Sequence, residues 1–372
     1  MSAELETATP PARKAIVRRQ TRRRASLFAY GEPQVWITGG SLAVLLVMIL
    51  GLLALVAGFG GVTFWPGPVA LIETVDGRVA MGEVAAAESY RPEAHAFEHL
   101  GPEAAAAARA RVEAGGGTSA RRLLRTGNYD LTGTHFQWFS DFELARPREA
   151  ELRPEWALVV ERQSWGRFYG NPLAFETGGE VQAREPAAIW ALFEEHHAPS
   201  RERWRRRVLL EKDELGRLNE ALTHGRLRVR QAELDHGAGS SERERAAQDL
   251  ARLEAESAGE FERIQQEIES IDTVNARYRI VLRTAGGEEQ ALQLSEIVRA
   301  YPANRLSTGA KLAVYAARTL ELLAGEPREA NSEGGVRPAI FGTVAMTLIM
   351  ALMVVPFGVL AALYLREYAK PG

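Results

Sequence analysis

The fold class this sequence predicts is a membrane α-helical protein with two transmembrane helices, plus an α+β extracytoplasmic domain carrying an antiparallel coiled-coil hairpin. Three observations predict it: a long uncharged apolar stretch near each end, strand-like segments between them, and a heptad pattern broken once by a glycine-containing turn. Average composition conceals this. Of 372 residues 46% are apolar and the formal net charge is -3, values that a soluble protein would share. The apolar residues are concentrated in the two stretches, and the rest of the chain is rich in Glu and Arg. Neither sign dominates, so no nucleic-acid-binding face is indicated. Cysteine is absent, which excludes a disulfide framework, thiol catalysis and a Cys-ligated metal.

Residues 35–64 contain no charged side chain, and their core over 37–59 reads ITGGSLAVLLVMILGLLALVAGF. Residues 338–365, PAIFGTVAMTLIMALMVVPFGVLAALYL, are also uncharged. About 20 apolar residues suffice to cross the hydrocarbon core. A charge at the centre of such a helix costs roughly 2.5–3.5 kcal/mol, so two long charge-free windows mark spans. The alternative for each is a helix buried in a soluble core.

Orientation follows from the flanks. Arg13, Lys14, Arg18, Arg19, Arg22, Arg23 and Arg24 precede the first span, and the positive-inside rule puts them in the cytoplasm. Trp36, Phe64 and Trp65 are placed for interfacial aromatic belts. A cleaved signal peptide has an apolar region of about 7–15 residues and a small-x-small site; the first stretch is longer and reads as an uncleaved anchor. Two crossings return the C-terminus to the cytoplasm, where Arg366 and Lys370 agree with the rule. The expected organisation is a basic cytoplasmic tail (1–34), transmembrane helix (35–64), mostly β domain (65–198), coiled-coil hairpin (199–272), β-hairpin and helix (273–337), second transmembrane helix (338–365) and cytoplasmic end (366–372).

Within the middle region, VALIETVDGRVA over 69–80 gives two alternating runs around Asp76-Gly77, a hairpin signal. Residues 85–113 are Ala/Glu/Arg-rich and predict a helix that ends at Gly115-Gly116-Gly117. GNYDLTGTHFQWFSDFEL, EWALVVER and SWGRFYG, within 127–176, predict strands and turns. Farther on, Val208, Leu215, Leu222 and Val229 recur every seven residues, with Leu218 at a second seam position. After the break at 236–241, Leu250, Ser257, Ile264 and Ile271 repeat, with Phe261 and Ile268 four residues after two of them. That periodicity predicts an antiparallel helical hairpin of roughly 35 residues per arm, about 50 Å long. Glu211, Gly225 and Glu254 interrupt the seam, and two surface helices of a compact domain are the alternative. YRIVLRTAGGEEQALQLSEI over 278–297 predicts a β-hairpin at Gly286-Gly287, and an amphipathic helix is expected over 307–323.

The catalytic-looking motifs are sparse. His95-Ala96-Phe97-Glu98-His99 matches the H-x-x-E-H pattern of inverted zinc peptidases, in which two helical His bind zinc and Glu is the base. A third ligand would have to come from ordinary surface acids such as Glu194 or Glu195, so an inert solvated segment is expected. Glu194-Glu195-His196-His197 likewise reads as a solvated face. No G-x-x-x-x-G-K-[ST] occurs, so no ATP hydrolysis by that route is expected; no catalytic, cofactor or metal residue is assigned, and no enzyme activity.

The second apolar stretch is distinctive. Gly342, Thr343 and Thr347 put small and hydroxyl residues on one helical side, as closely packing membrane helices do. Pro356, followed by Gly358, removes a mid-membrane donor and favours a kink. The alternative is a plain anchor that happens to carry Thr and Pro.

Residues 328–370, REANSEGGVRPAIFGTVAMTLIMALMVVPFGVLAALYLREYAK, resemble the start of the core domain in phosphate ABC-transporter permeases of the PstA type. That family carries GG-[IV]-x-PAI-x-GT-x-x-x-T entering the first core helix and YL-x-EYA leaving it. The matching positions are Gly334, Gly335, Pro338, Ala339, Ile340, Gly342, Thr343, Thr347, Tyr364, Leu365, Glu367, Tyr368 and Ala369. Some members carry a long periplasmic region after the N-terminal span, and GNYDLTG-x-HF and ERQSWGRFYG look like that long form.

The resemblance implies a multi-pass subunit of the cell inner membrane, with both termini cytoplasmic and a large periplasmic loop. Implied partners are a second permease subunit, a cytoplasmic ATPase dimer, a periplasmic phosphate-binding protein and membrane lipid, working by alternating access. A family member would continue past Gly372 with further spans and the ATPase-docking loop, so the expectation is the N-terminal part of a permease, as a fragment or truncated product. The alternative from another class is a membrane-anchored periplasmic scaffold, adaptor or sensor ectodomain.

Overall fold

A computed structural model describes residues 32–328 and 333–368. The basic flank before residue 32, Ala369 and Lys370 lie outside the described residues. The first apolar stretch forms helix α1 (Glu32–Thr63), which is a unit by itself; the chain from Phe64 onward is a second unit. The last described helix, α8 (Arg337–Tyr368), contains the second stretch and runs unbroken through Pro356. Both helices are long and apolar enough to cross a membrane, and neither is buried in the chain's own core.

Between them lie two antiparallel sheets. Strands β1 (Val69–Glu73), β2 (Val79–Tyr90), β3 (Ser119–Arg125) and β4 (Phe136–Ser140) form the first, in the order β1-β2-β3-β4. The second contains β5 (Leu158–Arg162), β6 (Arg167–Thr177), β7 (Glu180–Ala183), β8 (Tyr278–Arg283), β9 (Glu289–Gln293) and β10 (Ile297–Pro302). Its order is β10-β5-β6-β8-β9, with β7 folded back on β6. The expected hairpins at Asp76-Gly77 and Gly286-Gly287 are the β1–β2 and β8–β9 turns. Pro172 has no N–H for the ladder, and the β6–β8 register shifts between Pro172 and Ala174, as proline in a strand requires.

Strand β5 is buried on both faces. Leu158 and Val160 pack with Phe168, Phe175, Ile280 and Leu282 under Ile189 and Phe193 of helix α4 (Pro186–Leu209). Ala157 and Val159 face the other way, with Val69, Met81, Tyr169 and Tyr301. The strand alternation puts Glu161 on that second face.

Two expectations need correction. Residues 85–113 are not one helix: β2 continues to Tyr90, a 3₁₀ turn covers Ala94–Phe97, and helix α2 spans only Pro102–Ala114. Pairing with β3, from Glu83–Arg125 to Tyr90–Ser119, overrides the low strand propensity of Ala and Glu. The first arm of the helical hairpin also starts earlier, since α4 begins at Pro186 and passes through Pro199.

A single π-helical turn over Leu210–Glu214 joins α4 to α5 (Leu215–His236), and α6 (Ser241–Asn275) returns antiparallel. The extra residue of that turn rotates Leu210 inward, where it is fully buried against Ile264 and Ile271, while Glu211 is exposed. Gly225, an apparent gap in the heptads, is buried because Leu250 fills its place: a Cβ there would lie 2.9 Å from Leu250 Cδ1. Ser240 caps α6 by accepting from the Arg243 N–H at 3.3 Å. The amphipathic helix expected at 307–323 is α7 (Thr308–Ala324), capped by Ser307.

Candidate functional site

The two stretches GNYDLTG-x-HF and ERQSWGRFYG, more than twenty residues apart in sequence, meet in space. Asn128, with φ +53, donates its backbone N–H to Arg167 O at 2.9 Å. Its side chain brackets the backbone of Tyr169: Nδ2 donates to Tyr169 O at 3.1 Å, and Tyr169 N donates to Oδ1 at 2.8 Å. Gly127 is required here. Its φ is +56, and a Cβ would fall 2.3 Å from Arg167 O. Asp130, on the short helix α3 (Tyr129–Thr132), takes both terminal nitrogens of Arg162 at 2.9 Å. Burial would raise the Asp130 carboxyl, but its bonds to Arg162 hold it below the usual carboxylate range. Tyr129 stacks on His135 and Trp165; Trp165 is exposed and held at φ +68, a backbone conformation that costs energy in a bulky residue.

The second stretch also supplies the centre of a buried ionic cluster. Glu161 is 2% exposed and pairs with Arg299 and, at 2.5 Å, with Arg318. Arg328 lies 3.8 Å from it and Arg167 4.0 Å. Arg167 also bonds Glu83 at 2.7 Å and lies 3.3 Å from Glu333; Arg299 and Arg328 share Glu321, and Arg328 bonds Glu333 at 3.1 Å. Four guanidiniums thus face four carboxylates, Glu83, Glu161, Glu321 and Glu333, so the group is neutral as a whole. Tyr169 Oη donates to Glu83 at 2.8 Å, and Arg318 donates to Tyr301 Oη at 2.5 Å. Burial works to raise the Glu161 carboxyl, but Arg318, Arg299, Arg167 and Arg328 outweigh it and lower it to about 2. Burial, then Glu83, pushes the Tyr169 hydroxyl well up. Glu161 is therefore a fixed anion at neutral pH and Tyr169 a fixed donor, which suits holding segments together and not proton transfer.

What the cluster holds are the segments adjoining both apolar helices. Directly after α1 in sequence, Phe64 O accepts from Arg318 at 3.1 Å and Gly67 N–H donates to Glu83 at 3.3 Å. Trp65 rests on Tyr315 of α7 with ring centres 5.9 Å apart. Directly before α8, Arg328 and Glu333 belong to the cluster, and Val336 N–H donates to Leu322 O at 2.8 Å. Sequence reasoning did not find this cluster. Its one local signal is Glu161 itself, a carboxylate at the end of a strand with no solvent face.

The residues singled out by motif lie elsewhere. His95 is on the 3₁₀ turn and exposed, 3.5 Å from Glu93; His99 Nε2 lies 3.7 Å from Glu143. Between them Phe97 is buried against Phe142. Glu194 and Glu195 are exposed on α4, but His196 and His197 are not a solvated face. His196 stacks between Phe175 and Tyr278, and His197 bonds Ile297 O at 2.8 Å. No group of three or more potential metal ligands occurs among the described residues.

Gly342, Thr343, Thr347, Pro356 and Gly358 are all on α8 and exposed. Each threonine hydroxyl bonds the carbonyl four residues back, Thr343 to Ala339 and Thr347 to Thr343. Comparison with protein-family models, with curated proteins and with solved structures found no match.

Proposed function

We propose that this chain contributes membrane helices and a periplasmic domain to the permease subunit of an ATP-driven phosphate importer in the cell inner membrane. In this reading α1 and α8 both cross the bilayer, the sheets and helical hairpin face the periplasm, and the hairpin is an antiparallel coiled coil. The partners are those of the resembling family: a second permease, an ATPase dimer and a periplasmic phosphate-binding protein. The observation that carries the reading is the open small-residue side of α8. A Cβ on Gly342 would meet nothing within 4 Å. Thr343 and Thr347 bond their own backbone, so they can enter hydrocarbon without stranded hydroxyls. Such a side is built for close approach by another helix.

The substrate class rests on the resemblance of residues 328–370 to phosphate permeases. Phosphate cannot pass hydrocarbon without a polar path walled by several helices, so in this reading α8 lines up with the helices of the complete permease to carry it. In the complete permease, Gly342→Leu should reduce phosphate uptake at least tenfold while membrane insertion and expression stay normal. Uptake at the unsubstituted rate would leave α8 as a simple anchor. A periplasmic scaffold is the second reading, favoured by the helical hairpin, most of whose outer surface is exposed and charged.

A further inference from the structure

The second unit contains a cleft of about 1250 Å³ between α4, the Gln163-Ser164 turn, β10 and the segment leading from α7 to Arg328. Its lining holds six Arg or Lys side chains against three Glu. All three carboxylates are committed: Glu211 to Arg207, Glu326 to Lys212, and Glu321 to Arg299 and Arg328. Arg201 and Arg205 have no carboxylate within 4 Å among the described residues, and Glu321 reaches Arg201 only at longer range.

Arg201 is 8% exposed, and a buried cation without a counter-ion is costly. Its Nη1 donates to Ser295 O at 2.8 Å. The Gln163 side-chain oxygen, in the amide orientation that satisfies both of its ends, accepts from Nη2 at 2.7 Å and Nη1 at 3.1 Å. Three of five guanidinium hydrogens are thereby used. The Nε–H and one Nη2–H remain, on the edge that matches a bidentate oxyanion. Trp204 lies under the guanidinium at 4.2 Å and fixes its plane. His197, Arg201 and Arg205 follow at four-residue intervals on one face of α4. Burial, then Arg205 and Arg328, brings the Arg201 guanidinium down to about 10 against the opposing pull of Glu321; burial lowers His197 against the opposing effect of its bond to Ile297 O, with Arg201 and Arg205 adding to the lowering. The Arg201 and Arg205 cations are both stabilised by an added anion.

We propose that this cleft binds a phosphate-type oxyanion, with Arg201 as the bidentate ligand and Arg205 as the second cation. The inference rests on charge and geometry in the second unit and is independent of the transport reading. The phosphate can be free in solution or belong to a phospholipid headgroup, since Arg328, which lines the cleft, precedes α8 by fewer than ten residues in sequence.

The test uses the full chain purified in a phosphate-free maltoside detergent. Inorganic phosphate is titrated calorimetrically against chloride at equal ionic strength, and retained phosphatidylglycerol is counted by native mass spectrometry. Arg205→Gln, at an exposed position, keeps the fold; Arg201→Gln is read where its circular dichroism matches the parent. Saturable phosphate binding weakened at least tenfold by either variant supports the site with free phosphate as its ligand. Absence of phosphate binding, with phosphatidylglycerol retained by the parent and lost from the variants, supports it with a headgroup. Binding of neither, or equal binding by parent and variants, overturns the proposal.

Discussion

Glu161 shows how a single side chain can depend on the whole domain. Strand β5 carries it into the interior, where an isolated carboxylate would take up a proton instead of keeping its charge. Four arginines from β6, β10, α7 and the segment before α8 keep it ionised. Glu161→Gln leaves those cations one negative charge short, and removing one member of a buried pair typically costs about 3–5 kcal/mol. Thermal unfolding in neutral detergent should show that loss. The same carboxyl fixes a pH dependence. Its folded value is lowered from 4.5 to about 2, so its stabilisation is fully present above pH 4.5 and lost as pH falls from 4.5 toward 2. Asp130, also lowered, acts in the same direction. The Glu161→Gln variant should lose much of the acid-side slope; an unchanged slope would assign it to other carboxylates. None of this pairing was legible in the sequence. Partners spread from Glu83 to Glu333 are indistinguishable, in an Arg/Glu-rich chain, from solvated surface charge until the fold brings them together.

Elements were more legible where a local signal and the tertiary fold agree. The two β-hairpins follow from alternation plus a glycine turn, and the helical hairpin from its heptads. The strand through Ala85 to Tyr90 was hidden because its Ala/Glu composition favours helix and only pairing with β3 makes it extended. The π turn at Leu210–Glu214 was hidden as well: periodicity identifies Val208 and Glu211 as seam positions, whereas the inserted residue gives that role to Leu210. The arms hold each other through few fully buried side chains, with Ile264, Leu210 and Ile271 at the base. Ile264→Ala should therefore cost about 2–4 kcal/mol locally. Hydrogen exchange should show α5 and α6 losing protection while the β5–β6 core keeps it. Uniform loss across the domain would mean that hairpin and sheets unfold as one unit.

For the whole molecule, the ionic cluster gathers the parts of the second unit that adjoin the two long apolar helices in sequence. A domain tied through Phe64 and Gly67 on one side and Arg328 and Glu333 on the other has its two polypeptide connections fixed to a common core. In the proposed arrangement α1 and α8 then enter the same membrane from the same side, and the hairpin projects from the periplasmic domain. The two long apolar helices were the most legible feature of the chain, because exclusion of charge over about thirty residues is a one-dimensional signal that no folding partner alters. Their direction across the membrane is proposed chiefly from the basic flank before α1, so the central claim is best tested there. Single cysteines are placed at Ser26, in that flank, and at Ala238, in the exposed turn between α5 and α6, which spares the Ser240 cap. Labelling intact spheroplasts with a membrane-impermeant thiol reagent should modify the cysteine at 238 and leave that at 26 unreacted until the membrane is permeabilised. Labelling at 26 but not at 238, or at both before permeabilisation, would contradict a periplasmic domain held between two membrane-crossing helices.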